Sequence, residues 1–259
     1  MNVLCNSTDS INETMFKKLW SLVLKLFLNA RIHWAKIAVF VAYIYCVWPD
    51  RFASHYAYIR SDDMLGNLIE STTKNVSSMS TIDCDYSDII EENRFMYHEP
   101  YISTLLDASG IKLGGEYTPE CKPKFSTAIL VVYRQREEQL NAFLIYIQNF
   151  LRRQQIHYRI FIIEQYDQKP FNRAMLFNIG SVYAAKHGFP CMILHDVDLM
   201  PLNLGNLYAC SKLPRHMCSS LDKFRFNLPY DGLFGGVVAI QTPIFQHING
   251  MSNMVGIRK

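Results

Sequence analysis

The sequence predicts an α/β domain, with helices on both faces of a mainly parallel sheet, carried behind an N-terminal membrane helix and a stem. Three observations predict it: β-branched runs alternate with amphipathic helical segments after Gly114, a tryptophan-bounded apolar run follows a basic N-terminus, and a hydroxyl-rich stretch of little periodicity separates the two. At 259 residues, 49% of them apolar, the chain holds one sizeable core beside smaller appendages. Its net charge of +3 is too mild for a nucleic-acid surface, which needs a concentrated basic face.

The N-terminal elements come first. Residues 1–33 carry Lys17, Lys18, Lys25 and Arg31 against Asp9 and Glu13, and read as a cytoplasmic tail. "WAKIAVFVAYIYCVW", residues 34–48, reads as a membrane helix whose Trp34 and Trp48 suit the bilayer interfaces. The run is short of the ~20 residues a span requires. Snorkelling by Lys36 and a thinner membrane relieve the mismatch. "CVWPDRF" offers no small-residue cleavage site, so the helix reads as a retained anchor. Basic residues on its N-terminal flank predict a single-pass type II orientation, with the body outside the cytoplasm.

There Cys84, Cys121, Cys191, Cys210 and Cys218 would meet an oxidising compartment in which disulfides persist, although the sequence alone does not pair them. No CxxC pair occurs, so a zinc site is not expected. Residues 49–105 read as a lumenal stem. It contains "STTKNVSSMST", residues 71–81, a composition too poor in apolar surface to offset the entropy of ordering. Asn75, in "NVS", is the glycosylation acceptor that falls on the lumenal side.

The remaining residues, 106–259, carry the sheet domain. "STAILVVY", residues 126–133, suits a strand buried on both faces. Leu140, Phe143, Leu144, Ile147, Phe150 and Leu151 then form one apolar helical stripe. "YRIFIIEQ", residues 158–165, is a second strand, and a second helix runs from Asn172 towards Gly188 at its C-cap. "CMILHDVD", residues 191–198, is a third strand, and "LFGGVVAIQ" from Leu233 a later one. Strand, helix, strand, helix, strand implies right-handed crossovers.

In such sheets ligands bind at the carboxyl ends of the strands, where Asp196 and Asp198 fall. Alternation along a strand points residues i and i+2 the same way, and two adjacent carboxylates repel unless a cation lies beside them. A hard ion such as Mg²⁺ or Mn²⁺, held to a substrate phosphate, meets that need. The apolar strand before, Pro201 after and the nearby arginines favour this over a turn cap beside a solvated loop residue. An aspartyl phosphatase would place its pair on the first strand with a hydroxyl residue two places on, where Met200 stands here. Arg134 and Arg136 follow the first strand, and Arg173 opens the second helix, where the dipole already favours an anion. Phe171 offers a ring for a nucleobase. "FGG", residues 234–236, either lets a ligand approach the backbone or marks a bulge at Gly235.

"YRQREEQL", "FNRAMLFNIG", "HDVDLMP", "PRHMCSSLDKFRFNLPY" and "LFGGVVAI" together resemble the β-1,4-galactosyltransferase family, glycosyltransferase family 7, over about residues 114–254. The resemblance implies a GT-A fold with a Rossmann-like mixed sheet, type II topology in the Golgi membrane, a UDP-sugar donor and Mn²⁺. It implies that Arg134, Arg136, Phe171, Arg173 and Lys223 hold UDP, with Val132 where the family usually has proline. Asp198 would ligate the metal, and Asp196, Tyr230, Leu233 and Gly236 would face the donor sugar. It also implies the disulfides Cys84 to Cys121 and Cys191 to Cys210, leaving Cys218 unpaired.

Leu233 stands where galactose-using members carry tyrosine, as in invertebrate members that transfer N-acetylgalactosamine. A smaller side chain admits the 2-acetamido group, and pocket size discriminates by only ~1–3 kcal/mol. The resemblance therefore implies β-1,4 transfer of GalNAc, or Gal, from UDP to a terminal GlcNAc or Glc of a glycoprotein or glycolipid. After Met254 the family's acceptor block, with its general base and remaining metal ligands, has no counterpart in "VGIRK". The implied expectation is a shortened, poorly active chain in which neither Asp196 nor Asp198 is the base, or a noncatalytic membrane-anchored isoform that binds or competes with the full enzyme.

Overall fold

The computed structural model describes residues 17–23, 34–47, 59–60, 63–74, 76, 81–87, 89, 110–230 and 232–253. They belong to two units, Met1–Tyr56 and Ala57–Lys259. In the first, residues 17–23 are helical and α1 spans Trp34–Val47. Its 14 residues rise about 21 Å, less than a hydrocarbon core of about 30 Å. Among the described residues no helix is long and apolar enough to cross a membrane. Val39, Val41 and Tyr43 are nevertheless exposed on α1. Asn75 and Trp48 lie outside the described residues.

The second unit is built on a seven-stranded sheet. In chain order its strands are β1 (Ile111–Lys112), β2 (Glu116–Tyr117), β3 (Ser126–Tyr133), β4 (His157–Glu164), β5 (Cys191–Asp196), β6 (Arg215–His216) and β7 (Val237–Gln241), arranged β1-β2-β4-β3-β5-β7-β6. The sheet is parallel only at its centre, where β3 pairs with β4 and β5. Every pairing further out is antiparallel, so the expectation of a mainly parallel sheet holds for the middle alone. The outer strands β1, β2 and β6 have two residues each, too few to leave a periodic signal.

Two helices connect the parallel strands. α2 (Glu137–Arg153) links β3 to β4 and buries Phe143, Ile147, Phe150 and Leu151 against Ile129, Val131 and Ile193. α3 (Arg173–Lys186) links β4 to β5 and packs Leu176, Phe177 and Ala184 on the opposite face, against Ala128, Leu130, Met192 and Leu194. Alternate residues of β3 thus feed two cores, which is why its sequence shows no polar face. Burying each large side chain in this way contributes ~1.5–3 kcal/mol.

α3 begins at the Asn172 cap, whose Oδ1 accepts the Met175 N–H at 3.0 Å. It ends at Gly188 (φ +76°), where Phe189 N–H donates to Ala184 O and Gly188 N–H to Ala185 O. That is a Schellman ending, which the positive φ of glycine permits. A further helix, α4 (Thr242–His247), follows β7.

Part of the stretch expected as a stem packs on this unit instead. Leu68, Cys84, Tyr86 and Ile89 are buried in the same core as α2. The Cys84–Cys121 disulfide fastens the segment, and isolated bridges join Ser71 to Phe125 and Asp83 to Lys122. Four well-spaced apolar residues and a covalent tie are enough for this docking, and neither produces a helical or strand period.

Candidate functional site

From β3 the chain runs to β4 on one side, then returns across β3 to β5 on the other. In sheets of this kind ligands bind at such a reversal, in the crevice at the carboxyl ends of the strands, and the residues singled out above fall on the segments that leave the ends of β3, β4 and β5. Arg134 and Arg136 follow β3, Phe171 and Arg173 lead into α3, and Asp196 closes β5.

The two carboxylates are not equivalent. β5 ends at Asp196, and Val197 and Asp198 form a turn closed by Leu199 N–H on Asp196 O at 3.3 Å. Asp198 thus stands in the turn beyond the strand, so strand alternation is not what positions it, and its charge still acts on Asp196. Arg173 Nε donates to Asp196 Oδ1 at 2.6 Å, with both side chains about a third exposed (34% and 31%). Arg136 Nη1 donates to Asp198 Oδ2 at 2.9 Å, and there both side chains are 53% exposed. Asp196 is thus enclosed and Asp198 open to solvent. Burial pushes the Asp196 carboxyl up, and the Arg173 charge pulls it back.

The turn rests on buried His195. Its Nδ1 lies 2.8 Å from Asp196 O and its Nε2 2.9 Å from the Tyr208 hydroxyl. A carbonyl can only accept, so Nδ1 carries the proton and Nε2 accepts from Tyr208. Burial pulls the imidazole down to about 4 and keeps it neutral. Phe143 packs on the ring at 4.8 Å, and the Tyr208 carbonyl accepts from Thr127 Oγ1 at 2.7 Å. Gln154 holds the same loop by its bonds to Leu204 O, Asn206 O and Tyr208 N–H. The Cys191–Cys210 disulfide joins that loop to β5. Both disulfides pair as the resemblance implies, and Cys218 is free.

On the other flank, Gly236 lies against Asp196, its carbonyl accepting the Asp196 N–H at 3.0 Å and Arg173 Nη2 at 3.5 Å. Its φ is +73°, and a Cβ there would meet Cys218 Sγ at 2.6 Å and Leu199 Cδ1 at 2.8 Å. The glycine is thus required by the protein's own packing, whereas Gly235 has open space where a ligand could approach. β7 starts only at Val237, so Leu233 to Gly236 form a loop rather than the predicted strand start. Cys218 Sγ and His216 Nε2 both bond Gly235 O, at 2.9 and 3.0 Å.

Arg134 and Phe171 meet across the crevice wall. The Arg134 guanidinium lies 5.7 Å from the Phe171 ring centre, and its Nη1 donates to Lys169 O at 2.6 Å. Lys223, Tyr230 and Leu233 are bound locally instead. Lys223 sits in the single turn Asp222–Phe224 with its ammonium 5.8 Å from the Phe224 ring centre, and the Leu233 N–H donates to the carbonyl of exposed Tyr230 at 3.1 Å.

The sequence reading gave no role to His195, Gln154 or Gln165. Only the "H" of "HDVD" and the glutamine closing "YRIFIIEQ" hinted at them, because each acts through neighbours distant in the chain.

Among the described residues no group of three or more His, Cys, Asp or Glu side chains is placed to hold a metal ion. Both carboxylates are paired with an arginine, and the more exposed of them, Asp198, is the donor that an ion from solvent can reach. That donor fits a hard ion drawing most of its ligands from substrate phosphate and water, the usual mode for such ions at phosphate sites.

Comparison with known families decides the lineage. The model of the N-terminal region of glycosyl transferase group 7 matches residues 91–211, and that of the N-terminal domain of galactosyltransferase matches residues 215–256, together more than half of the chain. The chain belongs to glycosyltransferase family 7, the β-1,4-galactosyltransferase family. Within it, the chain is 42% identical over 147 residues to beta-1,4-galactosyltransferase 2 of Homo sapiens, covering 56% of this chain and 40% of that protein. It is likewise 42% identical over 147 residues to beta-1,4-galactosyltransferase 6 of Rattus norvegicus, covering 56% of this chain and 38% of that one. The chain thus spans about two fifths of the length of the relatives it matches. Among solved structures it resembles the catalytic domain of Drosophila beta1,4galactosyltransferase 7 in complex with xylobiose, at 37% identity and a TM-score of 0.46 over 51% of this chain and 55% of that one. A mutant of the same Drosophila enzyme, in complex with manganese, UDP-Gal and xylobiose, matches at 35% identity and a TM-score of 0.46 over the same shares.

Proposed function

We propose that this chain binds a UDP-sugar in the crevice between β3 and β5, and supplies the donor side of a Golgi glycosyltransferase of GT-A fold. The observation that carries this is the convergence of Arg134, Arg136, Arg173, Phe171 and two differently bound carboxylates at the point where the sheet reverses direction. The Arg136 guanidinium recognises phosphate by paired N–H donors, while Phe171, 39% exposed beneath Arg134, forms with it the wall that takes the uridine.

Asp198 is the protein group that would hold Mn²⁺, which when bound neutralises charge on the departing diphosphate. Arg136 exchanges its partner Asp198 for a phosphate oxygen when the donor arrives. Arg173 keeps Asp196 and the Gly236 carbonyl fixed against the sugar. Leu233 leaves room for a 2-acetamido group, which favours UDP-GalNAc over UDP-Gal by a modest factor. The transfer proposed for the protein is β-1,4, to a terminal GlcNAc or Glc, in keeping with relatives named β-1,4-galactosyltransferases. Neither Asp196 nor Asp198 is offered as the base.

The same reading places the sheet unit in the Golgi lumen behind α1 as a type II anchor, with Asn75 glycosylated. The apolar run bounded by Trp34 and Trp48, the basic residues before it and two disulfides in the sheet unit support that placement.

Calorimetry of the full chain with UDP, UDP-GalNAc and UDP-Gal, with and without Mn²⁺, tests the proposal. Metal-dependent binding of all three, strongest for the GalNAc sugar over its Gal counterpart, is the expected result. An absence of UDP binding at millimolar ligand would sink it.

A further inference from the structure

Gln165 stands just beyond β4 and is almost fully buried (8% exposed), an uncommon setting for a glutamine at a strand end. Its Oε1 accepts the Asn172 N–H at 2.8 Å. Its Nε2 donates to Asp167 Oδ1 at 2.8 Å and lies 3.2 Å from both Lys169 O and Pro170 O. Two hydrogens serve three acceptors, so the two carbonyls share one of them. The backbone is tied as well, since Gln165 N–H donates to Tyr133 O at 3.1 Å. Asp167 extends the network by accepting the Lys169 N–H at 3.0 Å, and the Gln165 amide is the main reason its carboxyl stays below the usual range.

One side chain therefore spans the whole connection from β4 to α3, and the backbone N–H of the same residue joins it to the carboxyl end of β3. The connection carries both groups of the crevice wall: Lys169 O takes the Arg134 guanidinium, and Phe171 lies beneath it. Asn172, held by Gln165, is also the cap of α3 and so sets where Arg173 begins the helix. Without the Gln165 amide, three oxygens and one N–H would have to find other partners in an eight-residue loop.

We propose that Gln165 is a positioning residue for the nucleoside half of the donor: it fixes Phe171 and Arg134 as a rigid platform before any ligand arrives. This rests on the UDP-sugar reading above. It concerns the base and ribose end only, because the diphosphate end depends on Arg136 and Asp198, outside this network.

Titration of the full chain with UDP, and separately with inorganic pyrophosphate, both with Mn²⁺, tests it. Gln165→Leu is expected to weaken UDP about tenfold while pyrophosphate changes less than twofold. Gln165→Glu keeps the acceptor for Asn172 but sets an oxygen against three others, and is expected to weaken UDP at least as much. Phe171→Ala, at an exposed position that folding tolerates, is expected to give a UDP loss that Gln165→Leu does not enlarge in the double variant, since one acts through the other. Multiplying losses in the double variant, equal losses for UDP and pyrophosphate, or unchanged UDP binding by Gln165→Leu would each overturn the role of Gln165 while leaving the donor reading intact. Failure of the unsubstituted chain to bind UDP would overturn both.

Discussion

Below the carboxyl end of β5, His195, Tyr208 and Gln154 find their partners inside the protein; above it, Asp198 and Arg136 meet each other half in solvent. The turn at Val197 is the boundary between these regions. A buried polar network costs dearly when one member is lost, because the others keep their desolvation penalty. An exposed ion pair contributes little, ~0–1 kcal/mol, and its members are free to change partners. The floor is therefore a stability element and the rim, on the function proposed above, a binding element, and substitutions should separate the two.

The largest effect is expected in the floor. Tyr208→Ala removes a fully buried ring and the donor to His195, and should lower unfolding stability by ~3–5 kcal/mol in a denaturant titration. A loss below about 1 kcal/mol would mean that the floor is not the support it is taken to be.

A smaller effect is expected from acid. His195 is held at about 4 by burial, below the ordinary value of 6.5, so between those values the unfolded chain binds the extra proton and the folded one does not. Stability from this group is complete above pH 6.5 and declines as pH falls towards 4, by up to about 3 kcal/mol. Thermal unfolding followed between pH 7 and pH 4 should show that decline, and His195→Gln should flatten it.

The smallest stability effect is expected at the rim. Asp198→Ala should change unfolding stability by less than about 1 kcal/mol. Its cost should appear instead in metal-dependent UDP affinity, at roughly 10- to 100-fold, the range of a lost charged interaction of ~1.5–3 kcal/mol.

The same division explains what could be read in the sequence. β3, α2, β4, α3 and β5 were legible because each carries a continuous apolar run or a helical stripe, and the crevice followed from their order. The two-residue edge strands and the docking of Leu68, Cys84, Tyr86 and Ile89 were not, since isolated contacts far apart in the chain leave no period. Within the site, the turn that carries Asp198 was not legible, because nothing in "HDVD" says that the strand stops after its second residue. Gln165 and His195 stayed hidden for a related reason: their importance lies in which carbonyls they meet, and those are known only once the loops are folded.

The division between enclosed Asp196 and open Asp198 is tested most directly by electron paramagnetic resonance of Mn²⁺ with UDP, on Asp196→Asn and Asp198→Asn side by side. The expected result is a bound-manganese signal retained in Asp196→Asn and lost in Asp198→Asn. The opposite pattern, or a signal unaffected by either change, would contradict the assignment of the open carboxylate to the metal.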